Sequence, residues 1–276
     1  MTEFIADLFR YEFLRNALLA AVMVSTLTGM FSNVVVLRKV EFIGDGAAHA
    51  AFGGIAFALL FGVSYQLTAL ITAGVFAVSI GYFTRKRKIS ESSVIGMLLP
   101  LSMALGIIML SFIRGFTPDI TGFLFGNILL VTRDDIWMLV FMNIGAVAFF
   151  ALFFRELQYC AFDERMARHY GVPTTLVHYA VLIGVSMSVV ASVKIAGVIL
   201  VTAFLVTPAV TSKLVAGRFK SMVLLSVIFG LIATTTGMVT SYWLDIPPGP
   251  TIVLMLFVQF LIVFFFEKIL RRQSGT

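Results

Sequence analysis

Apolar residues dominate this chain in runs of about 20, which is the length needed to cross a bilayer's hydrocarbon core. Short polar or charged clusters separate them. Nine runs qualify, over residues 13–37, 45–63, 66–83, 93–112, 136–154, 175–191, 197–215, 222–243 and 251–267. The pattern predicts an all-α polytopic membrane protein with about nine transmembrane helices, eight if one run fails to span. Residues 115–132 (GFTPDITGFLFGNILLVT) are too broken for a clean span. They suit a short or re-entrant helix buried in protein, since irregular backbone is tolerated at membrane depth only there.

One interruption differs from the rest. Residues 155–173 are polar and patterned, unlike the short connections elsewhere. Asp163 suits an N-cap for a short helix over 164–170. Gly171 suits its C-terminal stop, with Pro173 just beyond. Such a helix, facing water, is a docking element for a soluble partner or a solvated loop that happens to be helical.

Composition agrees. Of the 276 residues, 60% are hydrophobic and 12% charged, about half the charge of a soluble domain. Residues 1–276 read as one transmembrane domain, with 13–267 as its membrane core and 155–173 as its polar segment. The net charge of +6 does not argue for nucleic acid, because basic excess in a membrane protein collects in cytoplasmic loops. With the RKRK cluster at 85–88 inside and nine crossings, 15 of the 20 Lys and Arg residues fall on the cytoplasmic side. That predicts an outside N-terminus and a cytoplasmic C-terminus in a cell membrane. The first dozen residues form an interfacial lead-in rather than a signal peptide. Cys160 is the single cysteine, so the chain has no intrachain disulfide and no cysteine-based metal cluster.

Candidate chemistry centres on Asp45 and His49, four residues apart inside the second run. Ionisable groups at membrane depth are costly and mark functional sites by default. The i, i+4 spacing puts both on one helix face. Carboxylate and imidazole together suit zinc and other first-row divalent metals. The bland readings are an N-cap for Asp45 and a hydrogen-bonded core histidine for His49. Two ligands are too few for a closed zinc site, so water, hydroxyls, a carbonyl or a second copy would complete the shell.

Other candidates are weaker. Asn33 and Asp119 are possible pathway residues. Asp134 and Asp135 fall on the predicted outer side and could attract cations. His169 and His178 read as structural, and Lys194 as a side chain snorkelling to headgroups. Residue 245 and the prolines after it predict a tight outer turn. The phosphate-loop, H-E-x-x-H and G-x-S-x-G signatures are absent, so the chain is expected to be non-catalytic by itself.

Four motifs then carry a resemblance: VVVLRKVEFIGDGAAHAAFGG, AFDERMARHYGVP, KIAGVILVTAFLVTPAVTSKLVAG and SYWLDIPPGPTIV. Together they resemble the membrane permeases of metal-uptake ABC importers, the ABC-3 family. The resemblance implies a type II importer fold and a homodimer. It also implies a cytoplasmic ATP-binding partner subunit and an extracytoplasmic metal-binding protein. It makes Asp45 and His49 the metal ligands. It makes Phe162, Asp163, Glu164, Arg165, Ala167, Arg168 and Gly171 part of the ATPase-coupling helix. No permanently bound cofactor is implied, only a transported divalent metal: zinc first, manganese or iron second. Two rivals of other classes stay open, an ATP-independent transporter or channel and an intramembrane metal-dependent enzyme.

Overall fold

The computed structural model describes residues 2–87, 89–113, 126, 128 and 131–273. Among them the chain is helical: α1 (Thr2–Arg10), α2 (Glu12–Arg38), α3 (Ile43–Phe61), α4 (Tyr65–Arg87), α5 (Glu91–Ser111), α6 (Arg133–Phe162), α7 (Glu164–His169), α8 (Thr174–Val215), α9 (Phe219–Leu244) and α10 (Pro248–Gln273). Eight of these are long and apolar enough to cross a membrane.

Polar contacts at the helix tips sort the bundle into two ends. At one, Arg38 of α2 bonds Glu91 of α5 at 3.1 Å and touches His178 of α8, while Arg85 of α4 bonds Glu164 of α7 at 2.6 Å. At the other, Arg133 of α6 bonds Glu12 of α2 at 3.0 Å and Lys194 of α8 bonds Asp135 of α6 at 2.6 Å.

Helix α8 has 42 residues, which would measure about 63 Å if straight, twice the hydrocarbon thickness. It is not straight. Gly197 sits at φ 77, ψ 163, far from helical values. His178 lies at the Arg38 end and Lys194 at the opposite end. Ser212 then bonds Asn33 at 3.3 Å, five residues before Arg38. The two halves therefore run antiparallel, and α8 is two crossings joined at Gly197. Among the described residues the eight long helices therefore provide nine membrane-length segments, with the break where the apolar pattern placed it. Helices extend beyond the apolar runs because charged residues continue them outward, as at Arg85 to Arg87 in α4. In the same way α6 continues to Phe162, across a kink at Phe153.

Helices α2 and α8 form the centre, each 72% buried along its apolar window. Helices α5, α6 and α10 lie at the periphery and present aliphatic and aromatic side chains outward. Lipid offers no hydrophobic drive between helices, so packing rests on close approach of small residues and on polar bonds. Both are present. A Cβ at position 44 would lie 3.0 Å from Leu205 Cδ1 and Thr202 Cγ2, and one at position 46 would strike the Phe76 ring. Asn33, Ser212 and Ser226 are fully buried. They close a ring of bonds: Asn33 Nδ2 to Ser226 Oγ (2.8 Å), Ser226 Oγ to Ser212 Oγ (2.9 Å) and Ser212 Oγ to Asn33 Oδ1 (3.3 Å). That ring ties α2, α8 and α9 together.

Candidate metal path and coupling surface

Helix α3 opens after a tight corner. Lys39 adopts the left-handed conformation and closes α2 with N–H bonds to Val35 and Val36. The N-cap of α3 is Phe42, with no side-chain cap. Asp45 is therefore not the N-cap that the sequence offered as its alternative role. It is the third helical residue, where the helix dipole favours a negative charge. His49 stands one turn further on.

Both side chains are half-exposed, whereas Gly44, Gly46, Ala47, Ala48 and Ala50 around them are buried. The two ionisable groups thus share one face of the first turns of a helix that packs against α4, α5 and α8. They also interact electrostatically with each other. Gly46 abuts Phe76 of α4 and Ile95, one turn into α5, so the pair lies in the packed first turns of α3. Thr202 of α8 flanks the start of α3. Its hydroxyl donates to Val198 O at 3.0 Å, which leaves the oxygen's lone pairs available.

Among the described residues no three His, Cys, Asp or Glu side chains gather as a metal cluster. One protomer brings together one carboxylate and one imidazole. An open, incomplete shell suits a site that must release its ion.

The other predicted residues fall elsewhere. Asn33 is spent on its two serine partners and holds helices together rather than facing the Asp45–His49 surface. Asp119 lies outside the described residues. Asp134 is exposed. Asp135 is buried instead of being a surface acid. It completes a capping box with Thr132 and accepts from Lys194. Lys194, 41% exposed, thus has a protein partner in a buried carboxylate 2.6 Å away. His178 sits in an ion cluster with Arg38 and Glu91. The RKRK cluster hinted at charge on that end, but no local pattern pointed to Glu91, whose partners are 53 and 87 positions away. Asp245 takes the left-handed conformation and closes α9, and Pro248 opens α10, as the proline-rich turn predicts.

The polar segment folds as its sequence suggests. Asp163 Oδ1 accepts from Arg165 N (2.8 Å) and Met166 N (3.1 Å), capping the six-residue α7. Ala167 is buried on α7's inner side. Phe162, Arg165, Met166, Arg168 and Tyr170 are exposed. Gly171 N then bonds Arg168 O at 3.1 Å and ends the turn. Glu164 anchors the helix to Arg85. The result is a short, rigid, amphipathic knob on the Arg85 end of the bundle.

A model of the ABC 3 transport family matches residues 10–267. The chain belongs to the ABC 3 transport family. It is 42% identical to a probable metal transport system membrane protein of Thermotoga maritima, over 94% of this chain and 92% of that one. It is 34% identical to the manganese transport system membrane protein MntC of Halalkalibacterium halodurans, over 97% and 91%. Among solved structures, PsaBC from Streptococcus pneumoniae in complex with Fab superposes with a TM-score of 0.83 at 32% identity, covering 95% of each chain. As a family member the chain is a multi-pass membrane permease of a metal-transporting ABC system. It is not an enzyme, because ATP hydrolysis belongs to a separate subunit.

Proposed function

We propose that the chain is the permease of a manganese importer, and that Asp45 and His49 contact the ion as it crosses. The observation that carries this reading is the Asp45–His49 pair, one turn apart and partly exposed on a stretch of α3 whose neighbouring residues are buried. Family membership makes the cargo a metal. Zinc was the first expectation from one carboxylate and one imidazole. The named relatives, MntC of Halalkalibacterium halodurans and ScaB of Streptococcus parasanguinis, are manganese systems, and they favour manganese instead. Harder ligands fit that choice, since manganese prefers oxygen more than zinc does. Thr202 Oγ1, water and the same face of a second protomer are the oxygen sources at hand.

In this reading the permease works as a homodimer in the cell membrane, with its C-terminus in the cytoplasm. The knob made by Phe162, Asp163, Glu164, Arg165, Ala167, Arg168 and Gly171 seats in the ATP-binding subunit. An extracytoplasmic binding protein delivers the ion at the Lys194 end. Nucleotide acts only through its differential affinity for the outward-open and inward-open states.

The test is ATP-driven uptake into proteoliposomes holding the permease, the ATPase and the binding protein. Asp45→Ala and His49→Ala should abolish manganese uptake while the ATPase still co-purifies. Undiminished uptake in both variants would remove the pair from the path. A wild-type preference for zinc over manganese would overturn the cargo but keep the route.

A further inference from the structure

The corner between α2 and α3 is wired to the coupling knob by charged side chains whose roles lie outside the metal path. Glu164 is the first residue of α7. Its carboxylate takes a 2.6 Å bond from Arg85, and the same guanidinium donates to Thr174 O and Thr175 Oγ1, each at 3.0 Å. Arg85 therefore clamps the knob to the last turn of α4 and the start of α8. Glu91, the first residue of α5, feels the charges of Arg38, Glu164 and Arg85. It binds Arg38 at 3.1 Å, with both side chains largely buried. Ser92 Oγ bonds Lys39 O at 3.4 Å, so α5 grips the corner at two successive residues. From Arg38 only seven positions remain to Asp45, and the corner between them is stiff. Val40 and Ile43 are buried, and Val40 N bonds Val35 O at 3.1 Å.

We propose that Arg85, Glu91 and Arg38 are positioning residues that pass a displacement of α7 to the first turn of α3, and so to Asp45. This inference rests on the importer reading above. Charge pairs are suited to the task because they tolerate sliding better than packed methyl groups while still resisting separation. A second observation marks the junction as one that rearranges. Thr84 Oγ1, Arg85 Nε, Glu91 Oε2 and His178 Nε2 are buried without a hydrogen-bond partner among the described residues. All four residues line one groove of about 1010 Å³ beside α7. Buried polar atoms without partners are costly, and here they are concentrated where the knob meets the bundle. A shift of α7 into or out of that groove would re-pair them, giving the two discrete arrangements that coupling requires.

The experiment measures manganese uptake and ATP hydrolysis on the same proteoliposomes, with the complete complex. Glu91→Gln keeps the side chain's shape and removes its charge. The expected result is uptake per ATP lowered about five-fold, with hydrolysis and complex assembly close to wild type. Arg85→Lys keeps the charge, but a single nitrogen cannot hold Glu164, Thr174 and Thr175 together, so it should lower the ratio in the same direction. It also decides the matter should Glu91→Gln fail to assemble. Wild-type ratios in the assembled variants would overturn the proposal, as would uptake and hydrolysis falling in strict proportion, which marks a purely structural pair. A wild-type complex with no ATP-driven metal uptake would instead sink the importer reading, and this inference with it.

Discussion

The reversal at Gly197 decides whether α8 crosses the membrane once or twice, and a single methyl group tests it. At φ 77, ψ 163 the backbone is in a region open essentially to glycine alone, where another residue costs about 1–3 kcal/mol. Alanine recovers about 0.4–1 kcal/mol by restricting the unfolded chain. The net loss for Gly197→Ala is therefore about 1–2 kcal/mol, a fall of roughly 5- to 30-fold in the folded-to-unfolded ratio. Gly126 presses on the same turn: a Cβ there would lie 2.3 Å from Gly197 N and 2.5 Å from Ala196 C. Both contacts are with backbone, which cannot swing aside, so Gly126→Ala should cost at least as much. The control is Gly74→Ala in α4, where a Cβ meets nothing within 4 Å and helix propensity gives a gain of up to about 1 kcal/mol. The assay is reversible unfolding in mixed micelles by dodecyl sulfate titration, followed by far-UV circular dichroism. Gly197→Ala matching Gly74→Ala in stability would refute the reasoning, because the reversal would then not need its glycine.

Lys194→Met leaves Asp135 buried with its Thr132 donors and a long 3.5 Å bond from Gln66 Nε2. Breaking a buried pair costs about 3–5 kcal/mol, but Lys194 is 41% exposed, and solvent screening lowers the expected loss to about 1–2 kcal/mol. The same titration reads it. Asp163→Ala removes the cap of α7 at about 1 kcal/mol, and should weaken ATPase association about five-fold in a binding titration. Asn33→Ala removes one bond from each of two buried hydroxyls, which keep each other and Ala209 O as partners, at about 0.5–1.5 kcal/mol per bond, again measured by unfolding, with no change expected in metal preference. For topology, Gly217→Cys and Pro247→Cys in a Cys160→Ser background should label oppositely with an impermeant maleimide in intact cells. Only Pro247→Cys should react before permeabilisation, and the reverse pattern would invert the orientation.

Much of the fold was legible because the bilayer imposes one length scale. Among the described residues the nine apolar runs correspond to nine membrane-length helical segments, two of them joined at the break at Gly197. The pattern separated 175–191 from 197–215 because Lys194 interrupts the apolar signal, and that lysine marks the turn. The ends were less legible. Charged residues carry α4 out to Arg87 and α6 out to Phe162, since a helix that has left the membrane keeps its internal hydrogen bonds and loses only its apolar signature. The short helix α7 was readable locally, because capping by Asp163 and termination after Arg168 involve residues only a few positions apart.

The site divides along the same line between local and distant. Asp45 and His49 were visible because both sit on one helix, four residues apart, where an apolar background makes two polar residues conspicuous. Asn33 was equally conspicuous, yet it belongs to a ring closed by Ser212 and Ser226, about 180 and 190 positions away, that no spacing rule reaches. Asp135 misled in the same way: its burial was not legible because its partner Lys194 lies 59 positions off. In a helical membrane protein a lone polar residue has two physical exits, a distant partner or a ligand, and its own sequence context does not distinguish them. Exposure decides. Asn33 and Asp135 are buried against protein donors and acceptors, whereas Asp45 and His49 keep partial exposure in the first half of α3, where Gly44, Gly46, Ala47, Ala48 and Ala50 are buried. Exposure that persists after the neighbouring residues are buried is therefore the property that keeps Asp45 and His49 as the proposed ion contacts on α3.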